Sequence, residues 1–236
     1  MFCRIAELIV DIPERGGMAA RAEAYRTDAA EADIVLDAEN YRAESWPGLG
    51  ENDVCYMESG AQFYGNLLRF GGMMLHASAV ELDGLAYLFS GPCGMGKSTH
   101  TRIWQETFGE KVHLFNDDKP ALRCIDGIWY AFGTPWSGKH GLNINMKVPL
   151  GGICFLQQAS ENRIRRLSGT EAIVKVVSQT TRRMNRQENM HLLMTALDGL
   201  IRKIPVYELE NRPEAAAAKL SYATMLQGAK EAGLWN

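Results

Sequence analysis

A phosphate-binding pattern stands near the middle of the chain. The stretch Gly91-Pro92-Cys93-Gly94-Met95-Gly96-Lys97-Ser98, followed by Thr99, fits G-x-x-x-x-G-K-[ST] at every fixed position. Glycines let such a loop fold tightly, so that successive backbone N–H groups point at phosphate oxygens. In this pattern the lysine reaches the β- and γ-phosphates and the serine hydroxyl binds Mg²⁺. We therefore predict that residues 91–99 bind ATP or another nucleotide, with Lys97 on the phosphates and Ser98 on Mg²⁺.

The pattern needs a strand before it and a helix after it. The apolar run Leu85–Ser90 has the length of a buried strand. From Ser98 to Phe108 there is no Gly or Pro, and Gly109 is a typical helix end. Phosphate would then lie at a helix N-terminus, where free N–H groups and the helix dipole favour an anion. The alternative is a glycine-rich turn with a chance lysine.

Two adjacent carboxylates follow the next short apolar run, in Asn116-Asp117-Asp118-Lys119-Pro120. A second metal-binding carboxylate is expected at this place in phosphate-loop enzymes. One of Asp117 and Asp118 can bind Mg²⁺ while the other accepts the proton of an attacking hydroxyl. The residues alone do not say which does which, and a polar turn between strands is the alternative.

Other candidate site residues are less specific. His76 falls within a predicted strand, Met73–Val80, where a histidine is usually structural. Lys139 ends a second glycine-rich loop, Gly133–His140, that is suited either to phosphate or to the surface. Arg182 and Arg183 offer guanidinium groups for a phosphate or carboxylate substrate, or form a solvated face.

Composition excludes several classes of protein. The 236 residues carry a net charge of −3, which provides no general field for nucleic acid or an acidic membrane. No apolar run approaches the ~20 residues that span a bilayer, and the acidic residues near the N-terminus do not suit a signal peptide. The five scattered cysteines suggest reduced thiols. We expect a cytoplasmic protein without nucleic-acid or membrane partners.

The remaining pattern predicts a mixed sheet in an α/β fold. Asp83-Gly84 and Asp126-Gly127 each indicate a hairpin, and hairpins around a phosphate loop favour a mixed sheet over a parallel one. Further predicted elements, all read from apolar spacing and turn residues, are strands at Cys3–Val10, Ile34–Leu36, Val112–Phe115, Val148–Leu156 and Val206–Leu209 and helices at Ala61–Phe70, around Met190–Ile201 and from Pro213.

Taken in order, these motifs resemble a known catalytic domain. His76-Ala77-Ser78-Ala79-Val80, Asp83-Gly84, the phosphate loop and Asn116-Asp117-Asp118 are similar to HPr kinase/phosphorylase, whose core is shared with ATP-dependent phosphoenolpyruvate carboxykinase. The resemblance covers residues 73–156 best. It implies a P-loop kinase-like catalytic domain over residues 71–236 with C-terminal helices, after a small α/β region over residues 1–70, or one compact unit. It also implies that His76 lies near the transferred phosphoryl group and that a homo-oligomer is possible.

Three functions are compatible with this reading. The first is a Mg²⁺-dependent kinase that moves the γ-phosphoryl group of ATP to a serine-like hydroxyl of a small molecule, peptide or carrier protein. The second is a regulatory module that binds a nucleotide without phosphoryl transfer. The third is a carboxykinase-like lyase. The sequence leaves open the acceptor and the donor, which is ATP, ADP or pyrophosphate.

Overall fold

A computed structural model of the protein describes residues 1–180 and 187–235. Within these ranges the strands are β1 (Phe2–Ile5), β2 (Leu8–Asp11), β3 (Ile34–Val35), β4 (Gly72–Met74), β5 (Ala77–Leu82), β6 (Leu85–Ser90), β7 (His113–Asn116), β8 (Ala121–Ile125), β9 (Ile128–Phe132), β10 (Lys147–Gln158), β11 (Arg163–Arg166) and β12 (Val206–Asn211). The helices are α1 (Met18–Ala22), α2 (Glu51–Leu67), α3 (Lys97–Phe108), α4 (Gly169–Ser178), α5 (Gln187–Lys203) and α6 (Ala215–Glu231).

The main sheet is mixed, as predicted. Its strands are ordered β4-β8-β9-β10-β6-β5-β7, and β12 pairs with both β10 and β11. Strand β10 runs parallel to β6 and β12 but antiparallel to β9, so this one long strand joins the two halves of the sheet. The predicted α/β class with a mixed sheet is confirmed.

Both predicted hairpins in the main sheet are confirmed. Asp83 and Gly84 join β5 to β6, and Asp126 and Gly127 join β8 to β9. All four residues have positive φ, between 50° and 80°. Two consecutive positive φ values match the right-handed twist of the paired strands, and Asp and Gly tolerate that conformation better than most residues.

The predicted strand Met73–Val80 is wrong in one respect, because it is two strands. Strand β4 pairs with β8, whereas β5 pairs with β6 and β7. Between them the backbone N–H of His76 donates to the carbonyl of Gln179 over 2.7 Å, outside the sheet. His76 therefore lies at a change of strand partner and not within a strand. An apolar run cannot reveal such a change, because both halves are buried.

The N-terminal predictions also need correction. The predicted strand Cys3–Val10 is a hairpin of β1 and β2, since Ala6 and Glu7 have φ of 52° and 61° and reverse the chain. The predicted helix at Ala61–Phe70 begins ten residues earlier, at Glu51, and ends its last turn as a 3-10 helix. At the other end, α6 begins at Ala215 and not at Pro213.

Helix α2 and the N-terminal strands pack against the main sheet. Their side chains form one buried apolar cluster together with Met74, Phe132 and Trp136. The division into residues 1–70 and 71–236 stays a prediction. None of the helices in the described ranges has the length and apolar character needed to cross a membrane.

The backbone at Gly133 packs directly against the backbone at Phe115 and at Ile144, so a substitution at Gly133 tests the packing of these three segments. A Cβ at this position would lie 1.8 Å from the carbonyl oxygen of Ile144 and 2.8 Å from that of Phe115. We expect Gly133→Ala to lower the free energy of unfolding by at least about 2 kcal/mol, because backbone and not a flexible side chain must move.

Gly65 in α2 provides the matched control, since a Cβ there meets nothing within 4 Å. Gly65→Ala should raise the free energy of unfolding by about 0.5–1 kcal/mol through lower chain entropy in the unfolded state. Urea denaturation measures both variants. Equal stability of the two would contradict the packing described for Gly133.

Candidate functional site

The predicted phosphate loop connects β6 to α3, as its pattern requires. Gly91, Gly94 and Gly96 have φ of 146°, 80° and 96°, a backbone conformation that side chains with a Cβ rarely adopt. Helix α3 begins at Lys97, and no side chain in the described ranges caps its N-terminus by a hydrogen bond. The first-turn N–H groups of α3 are thus suited to bind an anion.

Lys97 is buried against the loop that precedes it. Its Nζ donates to the carbonyl oxygens of Gly91 at 2.9 Å and Pro92 at 3.2 Å. Burial lowers the pKa of Lys97, and the nearby Cys93, Asp118 and Asp117 oppose that change. Ser98, the residue after Lys97, is exposed on the first turn of α3.

A buried asparagine fixes the turn that carries the two aspartates. Asn116 Nδ2 donates to the backbone oxygen and to Oγ1 of Thr134, each at 3.1 Å. Its Oδ1 accepts the backbone N–H groups of Asp118 at 3.1 Å and Lys119 at 2.8 Å. Because Asn116 is fully buried, these bonds are costly to break, and they hold the turn after β7 in one conformation.

Asp117 is linked to the phosphate loop through two hydroxyl groups. Its Oδ1 accepts a hydrogen bond from Ser78 Oγ at 2.7 Å, and Ser78 Oγ lies 3.0 Å from Thr101 Oγ1. Thr101 Oγ1 in turn donates to the carbonyl oxygen of Ser98 at 3.2 Å. This chain of contacts joins β5, the turn after β7 and the first turn of α3.

Asp118 lies in a different set of contacts. His76 Nε2 is 3.1 Å from Asp118 Oδ1, while Lys119 Nζ and the Tyr56 hydroxyl donate to Oδ2, the latter over 3.3 Å. Burial raises the pKa of Asp118, but the hydrogen bond from His76 and the charge of Lys119 outweigh it and lower the pKa to about 2. Asp118 is therefore ionised at neutral pH, in a partly buried ion pair.

Tyr56 connects this ion pair to the second glycine-rich loop. Its hydroxyl accepts the backbone N–H of Gly138 at 2.8 Å and a hydrogen bond from Lys119 Nζ at 3.2 Å. Arg21 lies 4.8 Å above the Tyr56 ring and donates to the carbonyl oxygen of Gly138 at 3.1 Å. Helix α2, the turn after β7 and the loop at Gly138 are thereby held together at one point.

A cavity of about 570 Å³ opens beside Asp118. His76, Asp118 and Lys119 line it together with Pro92 and Cys93 of the phosphate loop. The rest of its wall comes mainly from Trp46, from α2, from Trp136 and from residues 178–180 at the end of α4. One cavity thus borders both the phosphate loop and the charged cluster.

A second cavity, of about 430 Å³, borders a different part of the same loop. Gly94, Gly96 and Thr99 line it, together with residues of the segments that follow β10 and β12. Residues 92–96 and 99 of the predicted loop therefore line one of the two cavities, and residues 97 and 98 lie in the first turn of α3. Gly91 lines neither cavity, and its carbonyl oxygen accepts the hydrogen bond from Lys97.

The predicted site residues are brought together only in part. The loop, His76, Asp117 and Asp118 lie around the contacts described above, and their chemical roles stay predictions. Lys139 is exposed and is not in the wall of the 570 Å³ cavity. Arg182 and Arg183 lie outside the described residues.

Sequence reasoning assigned no role to Tyr56, Lys119 or Ser78. Lys119 directly follows the two aspartates, and Ser78 lies two residues after His76, so both gave a local signal. Tyr56 gave none, because it reaches Asp118 from 62 residues away.

The lowered pKa of Asp118 predicts an acid-dependent loss of stability. The carboxyl has an ordinary pKa of 3.8 and one of about 2 in the fold. Its stabilising contribution, about 2 kcal/mol, is present above pH 3.8 and lost as the pH falls towards 2. We expect the difference in unfolding free energy between the native protein and Asp118→Asn to stay constant down to about pH 4 and then to shrink, by up to that amount near pH 2.

Urea denaturation across this pH range measures that difference. Asp118→Asn also leaves the buried Lys119 ammonium without its carboxylate, so the variant is less stable at neutral pH. A gap between the two proteins that stays constant as the pH falls from 3.8 towards 2 would contradict the ion pair.

Comparison with known proteins gives a family match and similarity to solved structures. No curated protein matches the sequence. The chain is similar to the structure of the Hpr(Ser) kinase/phosphatase from Coxiella burnetii, with a TM-score of 0.37 and 11% identity over 67% of this chain and 96% of that chain. A TM-score this low carries no inference about activity.

The family comparison covers most of the described site. The family described as SynChlorMet cassette protein ScmC matches residues 52–213, a range that contains all but the first residue of α2, His76, the phosphate loop and both aspartates. Because this match extends over more than half of the 236 residues, the chain belongs to the ScmC family.

Proposed function

We propose that the protein is a Mg²⁺-dependent kinase that transfers the γ-phosphoryl group of ATP to a hydroxyl group. One observation carries the proposal: the 570 Å³ cavity is bordered both by the phosphate loop, at Pro92 and Cys93, and by the ionised Asp118 with His76. A donor on the loop and an acceptor in the cavity would then meet beside a carboxylate. Positioning of this kind provides much of the catalysis in phosphoryl transfer.

The phosphate loop has the features that a nucleotide needs. Its glycines have positive φ, α3 has no side-chain cap, and Lys97 Nζ is held by two loop carbonyl oxygens that are weaker partners than phosphate. The two carbonyl oxygens are neutral, whereas a polyphosphate would provide an anionic partner for the Lys97 ammonium. This supports a nucleoside triphosphate as the donor.

The oxygen ligands available for Mg²⁺ are the Ser98 hydroxyl and the Asp117 carboxylate. The described residues contain no cluster of three or more His, Cys, Asp or Glu that would hold a metal without a substrate. Mg²⁺ commonly binds through one or two protein oxygens together with substrate phosphates and water, so this set of ligands fits it. When bound, Mg²⁺ offsets the negative charge of the phosphate oxygens.

The surroundings of the two aspartates support different roles. Asp118 lines the cavity and Asp117 does not, whereas Asp117 is joined through Ser78 and Thr101 to the turn that carries Ser98. We assign the proton-accepting role to Asp118 and the metal-binding role to Asp117. The sequence alone left this choice open.

A carboxylate with a pKa of about 2 is a weak base, which constrains the timing of the proton transfer. The acceptor oxygen bonds to the γ-phosphorus, its proton passes to Asp118, and the bond to the leaving oxygen breaks with its electron pair remaining on ADP. A hydroxyl becomes strongly acidic only once its oxygen has bonded to phosphorus. Late proton transfer of this kind suits the loose transition state of phosphoryl transfer.

A nucleotide-binding module without transfer is the second function, and a carboxykinase-like lyase the third. A module would bind ATP tightly, with no turnover in the presence of any acceptor. A lyase would consume ATP only with oxaloacetate. The Asp118 ion pair in the cavity wall favours the kinase, because simple nucleotide binding does not require an ionised carboxylate there.

Three substitutions separate these roles. Lys97→Met should weaken ATP binding at least about tenfold by removing the ammonium from the phosphates. Asp118→Asn should lower kcat by about 10²–10⁴-fold while ATP still binds. Asp117→Asn should instead raise the Mg²⁺ concentration needed for half-maximal rate. Label transfer from γ-labelled ATP to a panel of hydroxyl compounds, and calorimetric titration with ATP, measure these effects.

Asp126→Asn is the matched control, because Asp126 lies in the hairpin turn of β8 and β9 at φ 50°, which Asn also adopts. It should leave both ATP binding and transfer unchanged. ATP binding that is lost in Lys97→Met, without label transfer to any acceptor, would favour the nucleotide-binding module. Full kcat in Asp118→Asn would remove Asp118 from the mechanism.

A further inference from the structure

We infer that the hydroxyl acceptor is a neutral molecule or side chain with a bulky, mainly aromatic body, and that the 570 Å³ cavity receives that body. The inference rests on the proposed kinase function for the transfer itself, but the cavity's preference for such a ligand can be measured without it. It narrows the serine-like acceptor expected from the sequence to a more specific chemical class.

The size of the cavity argues against a small acceptor. At about 570 Å³ it falls in the range of sites that bind drug-sized ligands. A serine side chain would leave most of this space to water next to apolar walls, which gives little binding energy. A ring with an attached hydroxyl would displace that water and bury its own apolar surface.

The apolar part of the cavity wall includes two tryptophan side chains that are held in place by hydrogen bonds. Trp136 is fully buried and stacks on Phe63 with ring centroids 4.7 Å apart, and its Nε1 donates to Ser59 Oγ at 3.0 Å. Trp46 Nε1 donates to Glu58 Oε1 at 2.6 Å. Since its indole N–H already has a partner, the partly exposed Trp46 ring offers the cavity mainly its apolar surface, and the fully buried Trp136 supports the wall from behind.

The charges in the wall are already compensated. Among the described lining residues only Asp118 and Lys119 carry full charges, and they pair with each other, with His76 against the other carboxylate oxygen. A ligand carboxylate or ammonium would have to compete with this pair or remain unpaired in a partly buried site, and either is costly. The described part of the wall therefore favours a neutral acceptor.

Two polar groups at the α4 end of the wall, the Thr180 hydroxyl and the Gln179 backbone oxygen, are also occupied. Thr180 Oγ1 donates to the carbonyl oxygen of Met74 at 2.7 Å, and the Gln179 carbonyl oxygen accepts the N–H of His76 at 2.7 Å. Asp118 and His76 offer polar contacts for a ligand hydroxyl and line the same cavity as Pro92 and Cys93 of the phosphate loop. An aryl alcohol that placed its hydroxyl there would leave its ring to the apolar part of the wall, which includes Trp46, Met57 and Ala61.

Binding of matched probes tests the inference directly. Cinnamyl alcohol is a neutral alcohol with an aromatic body, and cinnamate has the same body with a charge in place of the hydroxyl. Calorimetric titration should give at least about tenfold tighter binding of cinnamyl alcohol than of cinnamate or free L-serine. N-acetyl-tyrosinamide should likewise bind tighter than N-acetyl-serinamide.

Ala61 in α2 lines the cavity, and Ala61→Leu should fill part of it and weaken cinnamyl alcohol binding at least about tenfold. Ala223→Leu, at an exposed position of α6, is the matched control and should leave binding unchanged. ATP titration of each variant verifies that the site is folded. If Ala61→Leu no longer binds ATP, the smaller Ala61→Val replaces it.

Label transfer from γ-labelled ATP to the same probes then distinguishes the sources of the hydroxyl. Transfer to cinnamyl alcohol indicates a free alcohol, and transfer to N-acetyl-tyrosinamide indicates a peptide side chain; either supports the inference. Transfer to L-serine or N-acetyl-serinamide that equals these, or is unaffected by Ala61→Leu, overturns it while the kinase function stands. Selective binding of the aromatic probes without transfer to any acceptor keeps the cavity assignment and removes the kinase function. No binding by any aromatic probe overturns the inference.

Discussion

The ion pair of Asp118 and Lys119 is the interaction on which the rest of the site depends. Both side chains are about four-fifths buried, at 19% and 20% exposure, so neither charge is stable there without the other. The pair also needs further hydrogen bonds, which Tyr56 and His76 provide from two other parts of the chain. Helix α2, which carries Tyr56, and the segment between β4 and β5, which carries His76, must therefore both lie beside the ion pair.

The backbone around this pair is fixed by equally specific bonds. Asn116 holds the N–H groups of Asp118 and Lys119, and the carbonyl oxygen of Asp118 accepts the N–H of Ala77 at 3.0 Å. Ser90 Oγ, at the end of the strand that leads into the phosphate loop, donates to the carbonyl oxygen of His76 at 2.8 Å. The charged cluster and the phosphate loop consequently share one hydrogen-bonded framework, and displacement of either would disturb the other.

The sequence predicted what local rules determine. The two hairpins were predictable because Asp-Gly favours two successive positive φ values, and the strand–loop–helix unit because its glycines and lysine have fixed spacing. The break at His76 was not, because only the different partners of β4 and β5 reveal it. The capping box of Ser168 and Glu171 is a local signal in the sequence for the start of α4. Tyr56 could not be found, since its role depends on a contact between distant segments.

Asp117 and Asp118 illustrate why adjacent residues need not share a role. Asp117 reaches Ser78, towards α3, while Asp118 reaches His76, Lys119 and Tyr56 at the cavity. The groups that would handle phosphate come from the β6–α3 loop and the β7 turn, whereas much of the cavity wall comes from Trp46 and α2. Substitutions at wall residues such as Trp46, Met57 and Ala61 would therefore alter the shape of the cavity while the phosphate loop stays intact. Tyr56 and Tyr64 are exceptions, because Tyr56 contacts the Asp118 ion pair and the Tyr64 hydroxyl donates to the carbonyl oxygen of Lys119. Under the proposed function, acceptor preference can therefore change freely only at wall positions that contact neither the ion pair nor its backbone.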